Sequence, residues 1–196
     1  MFYKTARAIF RFVFIILGLK VEGHENIPRE GPLILASNHV SNWDPVMVAL
    51  AVNRPVHFMA KAELFNYNIL GKLLIKLHAF PVRRGSGDRQ AIRHALRVLE
   101  QGHVLGIFPE GARNREDQNI TAQSGTAMIA LRSKVNVVPV ACIGTGRIIP
   151  VGWLRPLVVR IGEPISLDEY RDQKVNSSNL EKLNTEIEDK IIRLLY

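Results

Sequence analysis

Short apolar runs alternate with stretches of helical periodicity along the chain after residue 30. Each apolar run has four to seven residues, a length typical of buried strands. The runs cover residues 33–36, 55–61, 79–83, 104–108, 137–143 and 157–161. Because strands and helices alternate, the pattern predicts an α/β fold, in which a single layered domain has a mostly parallel central sheet flanked by helices.

The segments between the apolar runs carry helix signals. Helices are expected at residues 44–53, from 66 or 68 to about 78, from 86 or 88 to 101, and at 124–133. Ser86 and Asp88 are alternative caps for the third of these helices, whose apolar residues share one face. Ser178-x-x-Glu181 has the spacing of a capping box and predicts the start of a C-terminal helix.

The N-terminal segment is apolar but contains basic residues. Residues 8–19 form a run of twelve that includes Arg11, whereas a helix that spans a bilayer needs about 20 apolar residues. A signal peptide would require a small-residue cleavage site after the run, and none follows. Two alternatives remain: a helix buried in the domain, and a helix that lies on a membrane.

Composition favours the second alternative. Four basic residues lie in or beside the apolar run, together with phenylalanines within it: Lys4, Arg7, Arg11 and Lys20, with Phe10, Phe12 and Phe14. Such a composition is typical of an amphipathic helix at an anionic membrane surface. We therefore expect residues 1–20 to form an interfacial helix and residues 21–196 to form the α/β domain.

Charge and cysteine content narrow the classes of partner. The chain has 196 residues and a net charge of +8, from 26 lysines and arginines against 18 acidic residues. A basic protein suits anionic partners. Nucleic acid is not expected among them, because no basic-aromatic platform and no zinc-finger spacing is present. Cys142, the only cysteine, lies in an apolar run, so we expect a buried strand residue rather than a nucleophile.

Polar residues directly follow two of the predicted strands. The run at 33–36 leads to His39 and Asp44, and a later run leads to Glu110 and Gly111. Strand ends of this kind hold the active sites of α/β proteins. A histidine can take a proton near neutral pH, and a carboxylate five residues later can orient its ring. Asp44 has an alternative role as a helix N-cap before a proline, and one carboxylate can serve both purposes.

Four short blocks connect these residues to a known family. They are Asn38-His39 with Asp44, Phe80-Pro81-Val82-Arg83, Phe108-Pro109-Glu110-Gly111 with Arg113, and Val138-Pro139-Val140. In order and spacing they resemble the motif blocks of the glycerolipid acyltransferases, with the closest likeness to the bacterial 1-acyl-sn-glycerol-3-phosphate acyltransferases. The His-x-x-x-x-Asp spacing alone is a weak signal, whereas four blocks in order are a strong one.

The resemblance implies a reaction and a set of roles. A fatty acyl group would move from acyl-CoA or acyl carrier protein to the free hydroxyl of lysophosphatidic acid, giving phosphatidic acid without a metal or other cofactor. His39 would be the general base, and Asp44 would orient it. The residues implied to bind the acceptor are Arg83, Glu110, Gly111 and Arg113. The enzyme would act at the cytoplasmic face of the cell membrane, as a peripheral or monotopic protein.

Other interpretations of the same motifs stay open. The acceptor could be another lysophospholipid or glycerol-3-phosphate, and a non-catalytic lipid-binding protein could share the fold. A serine esterase is disfavoured because Gly-x-Ser-x-Gly is absent from the chain. A zinc hydrolase is disfavoured because the six histidines and the cysteine show no zinc-ligand spacing.

Overall fold

A seven-stranded sheet forms the centre of the protein. The computed structural model describes residues 2–83, 88–111, 125–147, 151–153, 155–170, 173 and 175–196, and all structural statements concern these residues. The strands are β1 (Leu19–Glu22), β2 (Leu33–Ser37), β3 (Val56–Lys61), β4 (Ala79–Val82), β5 (Val104–Ile107), β6 (Val137–Ile143) and β7 (Leu157–Ile161). Their order is β1-β7-β6-β2-β5-β3-β4, and every neighbouring pair is parallel except β6 and β7.

Helices cover both faces of this sheet. They are α1 (Phe2–Ile16), α2 (Asp44–Ala51), α3 (Asn68–Lys76), α4 (Arg89–Glu100), α5 (Gly125–Ser133) and α6 (Ser177–Leu195). Helices α4, α5 and α6 share one hydrophobic core with the sheet, and α1 and α2 share the other. The predicted fold class, an α/β domain with a mostly parallel sheet flanked by helices, is therefore confirmed.

The central strands are buried on both faces. All five residues of β2 are buried, as are six of the seven residues of β6. A strand that is covered by helices on both sides has no polar face, and its sequence is therefore a continuous apolar run rather than an alternating one. The short strand β1 was not predicted, because its four residues alternate between half-buried and exposed positions at the sheet edge.

Two of the predicted helix caps can be compared with the structure. Asp88 caps α4, and its carboxylate accepts hydrogen bonds from the backbone N–H groups of Gln90 at 2.9 Å and Ala91 at 3.1 Å. Ser86, the alternative, lies outside the described residues. The capping box that begins at Ser178 is wrong, because Asn176 caps α6. Asparagine is as good an N-cap as serine, and the helix begins one residue after it.

The N-terminal helix binds the domain through its arginines. The Arg7 guanidinium donates to the Ala49 carbonyl at 3.1 Å and to Asn53 Oδ1 at 2.9 Å. Arg11 donates to the Leu50 carbonyl at 3.1 Å and to the same Asn53 oxygen at 3.2 Å. These groups lie at the C-terminal end of α2, where backbone carbonyls lack helical partners and cations are favourable. On composition, both arginines were expected to contribute to binding an anionic membrane surface. In the structure, their guanidinium groups instead bind the end of α2.

Some aromatic residues of α1 are buried against the domain, and others are exposed to solvent. Phe14 is 3 % exposed and packs edge-on against Trp43, with 5.4 Å between ring centroids. Phe12 is 67 % exposed and Phe10 is 46 % exposed. One face of the helix therefore belongs to the core, as the first alternative predicted, and the opposite face is apolar and exposed. No helix within the described ranges is long and apolar enough to cross a bilayer.

Candidate active site

Three loops meet at one edge of the sheet. They follow β2, β5 and β6, which are neighbouring parallel strands, so their carboxyl ends point the same way. The loops carry His39, Glu110 and Thr145 respectively. This is the edge at which open α/β sheets bind ligands.

His39 and Asp44 form a buried pair. His39 Nδ1 lies 3.0 Å from Asp44 Oδ2, and Asp44 is fully buried while His39 is 8 % exposed. A carboxylate only accepts hydrogen bonds, so this contact keeps the imidazole proton on Nδ1 and leaves Nε2 as the basic nitrogen. The pair therefore has the geometry that a general base requires.

The backbone of the intervening loop holds the aspartate. Asp44 Oδ2 accepts hydrogen bonds from the N–H groups of Val40 and Ser41, both at 2.7 Å. Asp44 is the first residue of α2, and the residue before it, Trp43, occupies the N-cap position without a side-chain bond. The N-cap interpretation of Asp44 is therefore wrong. The carboxylate instead points back into the loop, where it accepts the hydrogen bonds from Val40 and Ser41.

Thr145 binds the other oxygen of the same carboxylate. Its hydroxyl donates to Asp44 Oδ1 at 2.5 Å, and the residue is fully buried. The sequence analysis did not include this residue, because Gly144-Thr145-Gly146 has a composition typical of a turn. The turn is present, and Gly144 has a φ of +80°. The signal that could have identified Thr145 is the one that identified His39, a polar side chain just after a buried strand.

Asn38 links the loop that carries His39 to β6 through two hydrogen bonds. Its side-chain Oδ1 accepts from the backbone N–H of Cys142 at 2.7 Å, and its Nδ2 donates to the Cys142 carbonyl at 3.1 Å. The amide thereby pairs with β6 just beyond the point where β2 ends. Burial, reinforced by the charge of Asp44, raises the pKa of the Cys142 thiol far above its usual range. The thiol is therefore protonated, as expected for a buried strand residue rather than a nucleophile.

The loop after β5 supports His39 from a second side. The Phe108 ring stacks on the His39 ring with 4.1 Å between centroids, and Glu110 Oε1 accepts from the His39 backbone N–H at 3.1 Å. Phe108 in turn stacks on Phe58 at 5.9 Å. A glycine at position 106 makes this stack possible, because a Cβ on Gly106 would come 2.2 Å from the Phe58 ring.

The other residues implied to bind the acceptor have no described contact with His39. Gly111 follows Glu110 with a φ of +65°, a conformation that favours glycine. Arg83 is exposed at the end of β4, and its backbone N–H donates to the Asp88 carboxylate at 3.0 Å. Since β4 lies three strands from β2, Arg83 shares the edge with His39 at a lateral separation of about 14 Å. Arg113 lies outside the described residues.

Proton transfer is the chemistry that this arrangement suits. In the described ranges no group of three or more histidine, cysteine, aspartate or glutamate side chains is arranged to hold a metal ion. A fixed imidazole beside a buried carboxylate, at an edge where ligands bind, suits the activation of a hydroxyl group.

Comparison with known proteins agrees with this arrangement. The sequence pattern of the acyltransferase family matches residues 18–143, which include both members of the buried pair. The chain belongs to the acyltransferase family. Within this family it is similar to the 1-acyl-sn-glycerol-3-phosphate acyltransferase of Bacillus subtilis, with 33 % identity over 155 residues that cover 78 % of this chain and 76 % of that one.

Two further acyltransferases are informative. The crystal structure of the 1-acyl-sn-glycerophosphate acyltransferase PlsC from Thermotoga maritima superposes with a TM-score of 0.75 and 26 % identity, covering 97 % of this chain and 78 % of that one. The lyso-ornithine lipid O-acyltransferase of Pseudomonas aeruginosa is 38 % identical over 116 residues, covering 58 % of this chain and 43 % of that one. The relatives thus differ in the acceptor that their names give.

Proposed function

We propose that the protein is a 1-acyl-sn-glycerol-3-phosphate O-acyltransferase. It transfers a fatty acyl group to the free hydroxyl of lysophosphatidic acid and yields phosphatidic acid, a step of phospholipid biosynthesis. The observation that carries this proposal is the buried His39–Asp44 pair, with 3.0 Å between His39 Nδ1 and Asp44 Oδ2, in a chain of the acyltransferase family.

The reaction needs no covalent acyl-enzyme. His39 Nε2 takes the proton of the acceptor hydroxyl while the oxygen attacks the thioester carbonyl carbon of the donor. The new C–O bond forms, the C–S bond breaks, and the leaving sulfur receives the proton back from the imidazolium as a free thiol. Asp44 stabilises the imidazolium between these steps, as a buried carboxylate does in other histidine-dependent transferases and hydrolases.

The acceptor phosphate binds to arginine in this scheme. Arg83 and Arg113 are the candidate phosphate ligands, because a guanidinium matches phosphate geometry and keeps its charge. Glu110 and Gly111 line the glycerol side, next to the histidine loop that Glu110 already holds through the His39 backbone. Either acyl-CoA or acyl carrier protein supplies the thioester, and nucleic acid has no role.

Access to the acceptor requires a membrane surface. The protein acts as a peripheral or monotopic protein at the cytoplasmic face of the cell membrane, with residues 1–20 as its interfacial segment. Support comes from the apolar outer face of α1, on which Ile9 is 60 % exposed and Phe12 is 67 % exposed. Because Arg7 and Arg11 bind α2, apolar burial contributes more to this contact than the sequence composition indicates.

The direct test is an assay of the purified full-length chain. Lysophosphatidic acid in vesicles is incubated with acyl-CoA or with acyl carrier protein carrying the same chain, and the lipid product is identified by mass. Phosphatidic acid with stoichiometric release of thiol is the expected result. Thiol release without a lipid product, or binding of the lipid without turnover of any donor, contradicts the proposal.

A second acceptor is favoured by one observation. The relative with the name lyso-ornithine lipid O-acyltransferase is 38 % identical over its aligned part. Including a lyso-ornithine lipid as a competing acceptor in the same assay therefore separates the two specificities. Preferred acylation of that lipid would keep the reaction and change the substrate.

The phosphate assignment gives a prediction for Arg83→Ala. We expect the apparent KM for lysophosphatidic acid to rise about tenfold or more, because a charge-assisted bond to phosphate contributes about 1.5–3 kcal/mol. The KM for the acyl donor should change little. Steady-state kinetics with each substrate varied in turn measures both values, and Arg193→Ala, in the exposed last turn of α6, is the matched control. A selective rise in the donor KM would assign Arg83 to the donor instead.

A further inference from the structure

Exposed apolar side chains are concentrated on α1 and around α3. Of the sixteen large hydrophobic residues exposed in the described part of the chain, seven lie on α1 and six lie between residues 64 and 75. A concentration of exposed apolar side chains of this kind marks a site of protein or membrane contact. We refer to it as the apolar platform, represented by Ile9, Phe12 and Ile15 on α1 and by Ile69, Leu73 and Ile75 on α3.

Helix α3 turns its apolar residues outward because of how it packs. Its only buried residue is Gly71, and a Cβ at this position would come 2.6 Å from the Phe65 carbonyl oxygen. The helix therefore lies against the preceding segment through its glycine. Ile69 and Ile75 are left 86 % and 64 % exposed, more than is usual for isoleucine in a domain of this size.

The N-terminal end of α1 lies beside the C-terminal end of α3 and the residues that follow it. Lys76 Nζ lies 5.4 Å from the centroid of the Phe2 ring, and the His78 ring meets the Tyr3 ring edge-on at 5.0 Å. The sequence of both segments, 2–21 and 64–83, contains no aspartate or glutamate. Their exposed lysines are Lys4, Lys20, Lys72 and Lys76.

We propose that α3 is a second bilayer-contacting helix, which enters the head-group region together with α1 through the apolar platform. The inference rests on the proposed function and extends it, since the sequence and the proposal assign membrane contact to residues 1–20 alone. An apolar face flanked by lysines fits an anionic bilayer. A second copy of the chain fits less well, because a symmetric pair would bring the same lysines together.

Site-specific fluorescence tests the proposal directly. Ile69→Cys is labelled with an environment-sensitive fluorophore, with Phe12→Cys as the reference on α1 and Val175→Cys as the matched exposed control. Cys142 is buried and its thiol stays protonated, so the label reacts at the introduced site. Each protein is mixed with vesicles of phosphatidylglycerol and phosphatidylcholine, with and without a quencher attached to the acyl chains.

The outcomes separate this inference from the proposed function. We expect the labels at positions 69 and 12 to shift to the blue and to be quenched in the presence of vesicles, and the label at 175 to do neither. A shift at position 12 alone would overturn the role of α3 and leave α1 as the anchor. A shift at 69 without vesicles, accompanied by a dimer in sedimentation, would make the platform an interface between two copies. Turnover with no shift at either position would leave the enzyme intact and remove the platform from membrane binding.

An independent observation concerns Thr145. Its fully buried hydroxyl reaches Asp44 Oδ1, the oxygen that neither His39 nor the loop backbone uses. We infer that Thr145 is a positioning residue, which holds the carboxylate plane against the imidazole and shares its negative charge. Each oxygen of Asp44 then has a fixed partner, and the carboxylate holds the His39 ring in one orientation.

Two substitutions distinguish the effect of the Thr145 hydroxyl from the effect of its packing. Thr145→Val keeps the volume and removes the donor, whereas Thr145→Ser keeps the donor and removes a methyl group. We expect kcat to fall about tenfold in Thr145→Val with both KM values little changed, and Thr145→Ser to retain most of the activity. The acid limb of the kcat/KM profile should move to higher pH in the valine variant, because an unshared carboxylate charge holds the imidazolium proton more tightly. Equal losses in both variants, or an unmoved acid limb in the valine variant, would contradict the inference.

Discussion

Acyl transfer by the His39→Ala variant is expected to fall by about 10²–10⁴-fold, the contribution of a positioned general base. The reason is structural as well as chemical, since His39 Nδ1 is fixed by Asp44 at 3.0 Å and leaves Nε2 as the basic nitrogen. The loss should appear in kcat, with the affinity for the lipid acceptor largely kept. Initial rates of thiol release, with product mass as confirmation, measure it.

A matched histidine provides the control. His24→Ala makes the same change at an exposed side chain whose nearest ionic partner is Glu25, and it should leave turnover at the wild-type level. Thermal unfolding of both variants checks the fold, because His39 also stacks on Phe108. A folded His39→Ala protein that turns over at a near-normal rate would remove the histidine from the reaction.

Asp44→Asn should also lower turnover by about 10²–10⁴-fold while the loop stays in place. An amide oxygen in place of Oδ2 can still accept from Val40, Ser41 and His39 Nδ1. The amide nitrogen can then donate to the Thr145 oxygen. The flipped amide is disfavoured, because its nitrogen would face the N–H donors of Val40 and Ser41. The substitution therefore removes the charge opposite the imidazolium and little else.

The folding state decides how the Asp44→Asn result is interpreted. We expect circular dichroism and the melting temperature of the variant to stay close to those of the wild type. Asp168→Asn, at an exposed carboxylate bonded to Ser166 Oγ, is the control for loss of one negative charge. An active Asp44→Asn enzyme would mean that the carboxylate only shapes the loop, and a collapsed one would mean that its charge is needed for folding.

Much of the fold follows from features that act locally along the chain. Buried parallel strands need continuous apolar residues, so the runs at β2 and β6 identify their strands with no knowledge of the partner strands. Asp88 was among the predicted caps because a cap bonds to N–H groups two and three residues later. The buried pair is equally local, since His39 and Asp44 are joined by a single loop.

The features that escaped prediction depend on contacts between distant segments. Thr145 reaches Asp44 across 101 positions of sequence. Its place just after a buried strand marks it as a candidate site residue, but only the fold shows that its partner is Asp44. Arg7 and Arg11 were assigned to lipid on composition, yet the unpaired carbonyls that bind them belong to α2. A helix wheel of α1 alone shows which residues share a face, and only the fold shows which face is outside.

The contact between Phe14 and Trp43 has a kinetic consequence. It joins the C-terminal end of α1 to the residue that precedes Asp44, so the catalytic loop lies beside the helix that we assign to the bilayer. With α1 in the bilayer as proposed, we expect a lysolipid to reach the histidine by lateral diffusion, without desorption into water. The quantity that sets the rate is accordingly its mole fraction in the surface, a two-dimensional concentration that falls when inert lipid is added at constant total lysolipid.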